Sequence, residues 1–172
     1  MRRRTSRKAD ATEALALLGA AGATLATAES LTGGRLAATV TAVPGASASY
    51  LGGFVTYATE LKESMLGVPP ALVERYGVIS GECARAMAAG CRDATGATYA
   101  LATTGVAGPD LQEGKPVGTV FVGLAGPDDV TALSLELVGD RHQIQERACR
   151  EALSALCGMV RGISGGEQPP LR

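Results

Sequence analysis

The stretch Thr27-Ala28-Glu29-Ser30-Leu31-Thr32-Gly33-Gly34 decides how the chain is read. An apolar run, Ala23-Thr24-Leu25-Ala26, precedes it, and a helix-like segment over 35–42 follows. That order predicts a strand, a tight turn and a helix. A serine at such a turn projects from the end of a sheet toward the first turn of a helix. Unpaired backbone N–H groups there favour negative charge, so an alkoxide or a substrate phosphate would be stabilised. Gly33 and Gly34 remove side chains and allow close approach to the backbone. Taken alone, the stretch also reads as an ordinary capped helix start, with Ser30 or Thr32 as the N-cap.

On either side the pattern alternates. Leu15, Leu17, Leu18 and several alanines at helical spacing predict a helix over 11–21. Residues 43–46 read as a loop, and 50–57 as a strand whose Gly52 and Gly53 predict a bulge or a close backbone neighbour. Short helices are expected over 59–66 and from Pro69-Pro70 through Tyr76. Ser80-Gly81-Glu82 opens a long alanine-rich helix to about Ala94. Strands follow over 98–104, 118–125 and 130–138, the last two joined by a hairpin turn at Gly126-Pro127-Asp128-Asp129. A final helix covers 140–160. This order predicts an α/β fold, a three-layer α/β/α sandwich with a mixed central sheet. Ligands in such sheets bind beyond the carboxyl ends of the strands. Ser30, Tyr57 and Thr104 all fall at predicted strand ends.

The 172 residues suit one domain with a real core. With 23 glycines, no Trp and 3% aromatics, that core must be built from Ala, Val, Leu and Ile, with close helix–sheet contacts. No apolar run is long enough to span a bilayer, and no apolar segment of the secretory kind follows the basic N-terminus, so a cytoplasmic location is expected. Arg2, Arg3, Arg4, Arg7 and Lys8 all precede the first acid, Asp10, in a chain of net charge −1. The remainder is therefore net acidic, which argues against a nucleic-acid-binding surface. Residues 1–8 are expected to form a disordered basic leader, 9–160 a single domain and 161–172 a flexible tail. Cys83, Cys91, Cys149 and Cys157 show no C-x-x-C spacing and read as small buried apolar residues. His142, the single histidine, excludes a multi-histidine metal centre and reads as a surface residue.

Ser30 therefore needs a base other than histidine. Lys62 lies one helical turn beyond Tyr57, and a lysine serves as base when burial or a nearby cation lowers its pKa. Arg141 offers a forked contact to phosphate. Each also has a plain reading: Lys62 as a solvated helix residue, Tyr57 as a half-buried strand residue with its hydroxyl in water, Arg141 as a helix-start residue paired with Asp140 or Glu29. The loop Thr103-Thr104-Gly105-Val106-Ala107-Gly108-Pro109 can expose backbone N–H groups as an anion cradle, but lacks the Gly-Lys-Ser/Thr ending of a P-loop.

Six ordered stretches resemble one family. They are residues 27–34, Gly53-Phe54-Val55-Thr56-Tyr57-Ala58-Thr59-Glu60-Leu61-Lys62, Gly77-Val78-Ile79-Ser80, Thr104-Gly105-Val106-Ala107-Gly108-Pro109, Lys115-Pro116-Val117-Gly118-Thr119-Val120 and Gly139-Asp140-Arg141. Together they resemble the C-terminal domain family of the competence/damage-inducible protein CinA, over about residues 9–160. The resemblance implies an α/β/α sandwich that hydrolyses nicotinamide mononucleotide to nicotinate mononucleotide and ammonia, without metal or other cofactor. It implies Ser30 as nucleophile, Lys62 as its partner and Tyr57 as a third catalytic residue. Thr104 and Arg141 match family positions, and with Thr32, Gly33 and Gly105 they form the expected substrate-binding set. It further implies a small-molecule substrate, no nucleic-acid or membrane partner, and a homo-oligomer, a dimer. Ala58-Thr59 stands where many relatives carry Ser-Asn, and the loop between Pro109 and Lys115 is short. Some relatives carry an added nucleotide-pyrophosphatase-like domain with no counterpart here, so that second activity is not expected. The alternative is a non-catalytic nucleotide-binding or regulatory module linked to competence or DNA damage.

Overall fold

The structure is a computed structural model that describes residues 10–162. The expected leader lies outside the described residues, as does the expected tail apart from Arg161 and Gly162. The elements run α1 (Ala11–Ala21), β1 (Leu25–Glu29), α2 (Arg35–Thr41), β2 (Tyr50–Val55), α3 (Thr59–Leu66), α4 (Pro70–Tyr76), α5 (Gly81–Thr95), β3 (Tyr99–Gly105), β4 (Thr119–Ala125), β5 (Val130–Glu136) and α6 (Arg141–Val160). The strands form one mixed sheet in the order β2-β1-β3-β4-β5. β1 is parallel to both neighbours, whereas β3, β4 and β5 pair antiparallel. The expected fold class is the observed one.

Two apolar layers cover the sheet. Leu18 of α1, Leu36 and Val40 of α2, and Ile144, Leu153 and Leu156 of α6 pack with Leu25, Leu101 and Val122 on one face. On the other, Leu66 of α3 and Cys83, Met87 and Cys91 of α5 pack with Ala26, Ala28, Ala100 and Ala102. Strand alternation thus sends the large residues of β1 and β3 to one face and the alanines to the other. Small residues let α5 sit close: a Cβ on Gly123 of β4 would overlap the Ala84 carbonyl. This is the close contact that a glycine-rich, aromatic-poor sequence requires.

β1 runs through Glu29 and leaves Ser30 at the strand end, as expected, and all five of its residues are buried between two parallel partners. The glycines of β2 do both things anticipated of them. The register shifts between Leu25 and Ala26, with Gly52 at φ 145°, and Gly53 lies where a Cβ would overlap Thr27. The expected loop at 43–46 runs into a 3₁₀ turn at Ala46–Ala48, and the last strand stops at Glu136.

After β1 the chain moves to one side, to β2; after β2 it crosses back over the sheet to β3 on the other side. The carboxyl ends of β1 and β3 therefore flank a topological switch point, where open α/β sheets place their ligands.

Candidate active site

A cavity of about 120 Å³ opens at that switch point. Its lining includes Ser30, Tyr57, Lys62, Thr104, Gly105 and Arg141. Six of the eight expected site residues thus meet in one place. Thr32 and Gly33 are not among the lining residues.

Ser30 follows β1 directly, and its N–H donates to the Thr103 carbonyl at 2.9 Å. The next N–H, that of Leu31, has no hydrogen-bond partner among the described residues. Ser30 is not a helix cap. The N-cap of α2 is Gly34, with φ 98° and no side-chain bond. The first N–H groups of α2 are instead taken by Glu29, whose carboxylate accepts from Leu36 N at 2.7 Å and Ala37 N at 3.0 Å. The helix start expected to hold an alkoxide or phosphate is therefore already occupied by an internal anion. Thr32 is buried, donates to Glu29 Oε1 at 2.6 Å and lies 2.8 Å from Thr103 Oγ1. It braces the turn rather than facing the cavity. Sequence reasoning weighed Glu29 only as a partner for Arg141; the available signal was a carboxylate closing a buried interior strand, where burial demands compensating donors.

Lys62 is the largest fully buried side chain, at 1% exposure. It sits in the first turns of α3, and helical side chains lean toward their own N-terminus. Its amine therefore reaches back to the segment leaving β2. It donates to the Thr56 carbonyl at 2.7 Å, the Tyr57 carbonyl at 3.3 Å and Ser30 Oγ at 3.0 Å. Among the described residues no carboxylate lies within ion-pair distance of it. Burial lowers its pKa below the ordinary 10.5, outweighing the raising effects of Cys83, Glu113 and Glu60. The positive end of the α3 dipole acts in the lowering direction as well. A neutral amine keeps two N–H bonds for the two carbonyls and turns its lone pair to the Ser30 hydroxyl. The geometry fits a serine with a lysine as base.

Tyr57 holds this lysine through its main chain, not its phenol. The phenol oxygen accepts from Arg141 at 3.0 Å, and Arg141 also donates to the Gly108 carbonyl at 2.5 Å. Arg141 thus bridges the β2–α3 link and the loop after β3, paired with neither Asp140 nor Glu29. Asp140 instead caps α6 in a capping box with Gln143. Thr104 is buried in the cavity wall and donates to the Val78 carbonyl at 2.7 Å, leaving its oxygen free to accept.

The loop 106–118 forms the outer wall and is tied down. Glu113, at φ 53°, accepts from Val78 N and Ile79 N at 3.1 Å each. Lys115 donates to the Ile79 carbonyl and lies 5.6 Å from the Phe121 ring centroid. The four cysteines are buried and free, and burial pushes Cys83 up to about 11 and Cys91 and Cys149 up to about 12. Burial also raises Cys157, so all four favour the thiol over the thiolate. Among the described residues no helix is long and apolar enough to cross a membrane, and no group of three His, Cys, Asp or Glu side chains could hold a metal ion.

The family model described as the CinA C-terminal domain matches residues 7–160. A CinA-like protein of Frankia casuarinae is 54% identical over 153 residues, covering 89% of this chain and 35% of the relative. The chain spans about a third of the length of the curated relatives it matches. A solved CinA superfamily protein of Klebsiella pneumoniae superposes with a TM-score of 0.86 at 33% identity, covering 88% of this chain and 96% of that one. The competence/damage inducible protein CihA of Agrobacterium tumefaciens gives 0.83 at 33% identity, covering 87% and 92%.

Proposed function

The chain belongs to the CinA C-terminal domain family, and from that premise we propose that it is an amidohydrolase converting nicotinamide mononucleotide to nicotinate mononucleotide and ammonia. One observation carries the reading: a buried lysine amine 3.0 Å from a serine hydroxyl, with no carboxylate among the described residues paired to it. A buried amine of this kind exists to exchange a proton, because keeping it charged without a counter-ion is unfavourable.

Lys62 takes the Ser30 proton as Ser30 Oγ attacks the carboxamide carbon. The resulting oxyanion is met by the free N–H of Leu31, beside the nucleophile. The C–N bond breaks, and Lys62 returns its proton to the leaving nitrogen, which departs as ammonia. Water then attacks the Ser30 ester, again giving its proton to Lys62. The acyl–oxygen bond breaks as Lys62 passes that proton to Ser30 Oγ, releasing the carboxylic acid product and restoring the serine hydroxyl and the neutral amine. The cavity is smaller than the roughly 300–1,000 Å³ usual for drug-sized ligands, so it takes the ring and its carboxamide. Ribose and phosphate lie across the mouth, where Arg141 exchanges the Tyr57 phenol for phosphate oxygens.

The test is ammonia release from nicotinamide mononucleotide, measured for the wild type and Ser30→Ala with and without a chelator. The reading requires turnover by the wild type that survives the chelator, and loss of turnover in a folded Ser30→Ala protein. Tight binding of the mononucleotide with no product from the wild type would instead favour a nucleotide-binding module.

A further inference from the structure

Among the described residues lining the cavity, Asp110 is the single carboxylate, beside the Lys62 amine and the Arg141 guanidinium. Lys62 lies at the closed end, buried, and Arg141 at the exposed mouth. Two nearby acids are otherwise engaged: Glu29 with the start of α2, and Glu113 with the N–H groups of Val78 and Ile79. Asp110 has no ion-pair partner among the described residues. It stands two residues beyond Gly108, whose carbonyl accepts from Arg141. Arg141 directs its guanidinium at two uncharged oxygens, the Gly108 carbonyl and the Tyr57 phenol. One cavity therefore carries a carboxylate and a guanidinium that form no ion pair with each other.

The loop that carries Asp110 is fixed on both sides of it. Arg141 holds Gly108; beyond Asp110, Gln112 and Lys115 exchange backbone bonds at 2.9 and 3.2 Å, and Glu113 is bonded to the 78–79 backbone. A charge on a pinned loop acts from a set position, as a selective contact requires. Separated opposite charges lining one cavity suit a ligand that carries both signs. A phosphate answers Arg141; a cationic ring answers Asp110.

We propose that Asp110 is a specificity-determining residue that selects a carboxamide borne on a cationic, N-substituted pyridinium ring over the same amide on an uncharged ring. The inference rests on the functional reading above and narrows its substrate class. It also gives a role to the two stretches, around Ile79 and Lys115, that the reaction itself does not use: they hold the loop that presents Asp110.

The probes are nicotinamide mononucleotide and its 1,4-dihydro form, which share the amide, ribose and phosphate and differ in ring charge. Dissociation constants are measured by calorimetry on Ser30→Ala and on Ser30→Ala with Asp110→Asn, at low salt, beside ammonia release by the otherwise wild-type enzyme. Asp110→Asn should weaken binding of the pyridinium form by about fivefold or more, as expected for one solvent-facing charge pair near 4 Å, and leave the dihydro form unchanged. Asp110→Glu should keep most of the discrimination. Equal weakening of both forms, or none, while the wild type still releases ammonia, would overturn the role of Asp110 and leave the functional reading standing. A wild type that neither turns over nor binds either form would overturn both.

Discussion

Lys62 Nζ lies 3.0 Å from Ser30 Oγ, although 32 residues separate them in the chain. Two backbone facts produce the meeting. The parallel pairing of β1 with β2 brings the ends of both strands to one edge, where Thr56 N donates to the Glu29 carbonyl at 2.9 Å. The lean of a helical side chain toward its own N-terminus then returns the lysine to that edge. Its hydrogen bonds to two main-chain carbonyls hold the amine without supplying a counter-charge.

If Lys62 is the base, its charge state matters more than its reach. Lys62→Ala should lower kcat for ammonia release by about 10²–10⁴. Lys62→Arg should not restore it, because a guanidinium stays protonated and has no lone pair to offer. Steady-state rates of both variants beside the wild type check this. Activity in Lys62→Arg within a few-fold of wild type would remove the base role.

Arg141 should act chiefly on the phosphate end. Arg141→Ala is expected to raise KM for nicotinamide mononucleotide by about tenfold or more, the loss of a charge-assisted bond, with a smaller change in kcat. The corresponding riboside, lacking phosphate, should be affected far less. Comparing KM for the two substrates gives the answer, and equal losses on both would argue for a general role in shaping the cavity through Tyr57 and Gly108.

Glu29 is a prediction about stability. Its carboxylate accepts from Thr32, Leu36 and Ala37 in a buried setting. Glu29→Ala leaves those donors unmet and should destabilise the fold by about 3 kcal/mol. Urea unfolding measures it; a loss below about 0.5 kcal/mol would mean that other groups readily replace the carboxylate.

The sequence was most legible where a pattern had a local cause. Helix α1 matches its expected bounds because Asp10 caps one end and Gly22, at φ 61°, closes the other. Gly52 and Gly53 announced the irregular register of β2 for the same reason. Ser30 and Lys62 were readable as candidates, yet their distance depends on which strands pair, and spacing carries no such information. The N-cap reading of Ser30 failed because a buried carboxylate one residue earlier took the helix N–H groups. The one local mark of that choice is a carboxylate at the end of a buried strand. The tie between Glu113 and the 78–79 backbone was likewise hidden, since it joins two loops 34 and 35 residues apart.

Two glycines separate packing from backbone cost. Gly19 lies within α1, where an added Cβ would meet nothing within 4 Å, so Gly19→Ala should stabilise by about 0.5–1 kcal/mol. Gly123→Ala drives a methyl into the Ala84 carbonyl of α5 and should destabilise by about 1–3 kcal/mol. Thermal unfolding of the two variants should show shifts of opposite sign. Shifts of the same sign would contradict the packing of α5 on β4.

Burial lowers the Lys62 pKa, and the sign of its pH effects follows. The unfolded chain holds that proton more tightly, so Lys62 opposes folding at neutral pH, and the opposition fades as pH rises from the folded pKa toward 10.5. Activity should rise with pH over the same titration, as neutral amine accumulates. The most direct test is an NMR titration of the isotope-labelled Lys62 amine, assigned by its absence in Lys62→Arg. A base at this position should titrate with a midpoint below 10.5 that coincides with the rising limb of the rate profile. A midpoint at or above 10.5 would contradict that role, because the amine beside Ser30 would then be a fixed cation rather than a base.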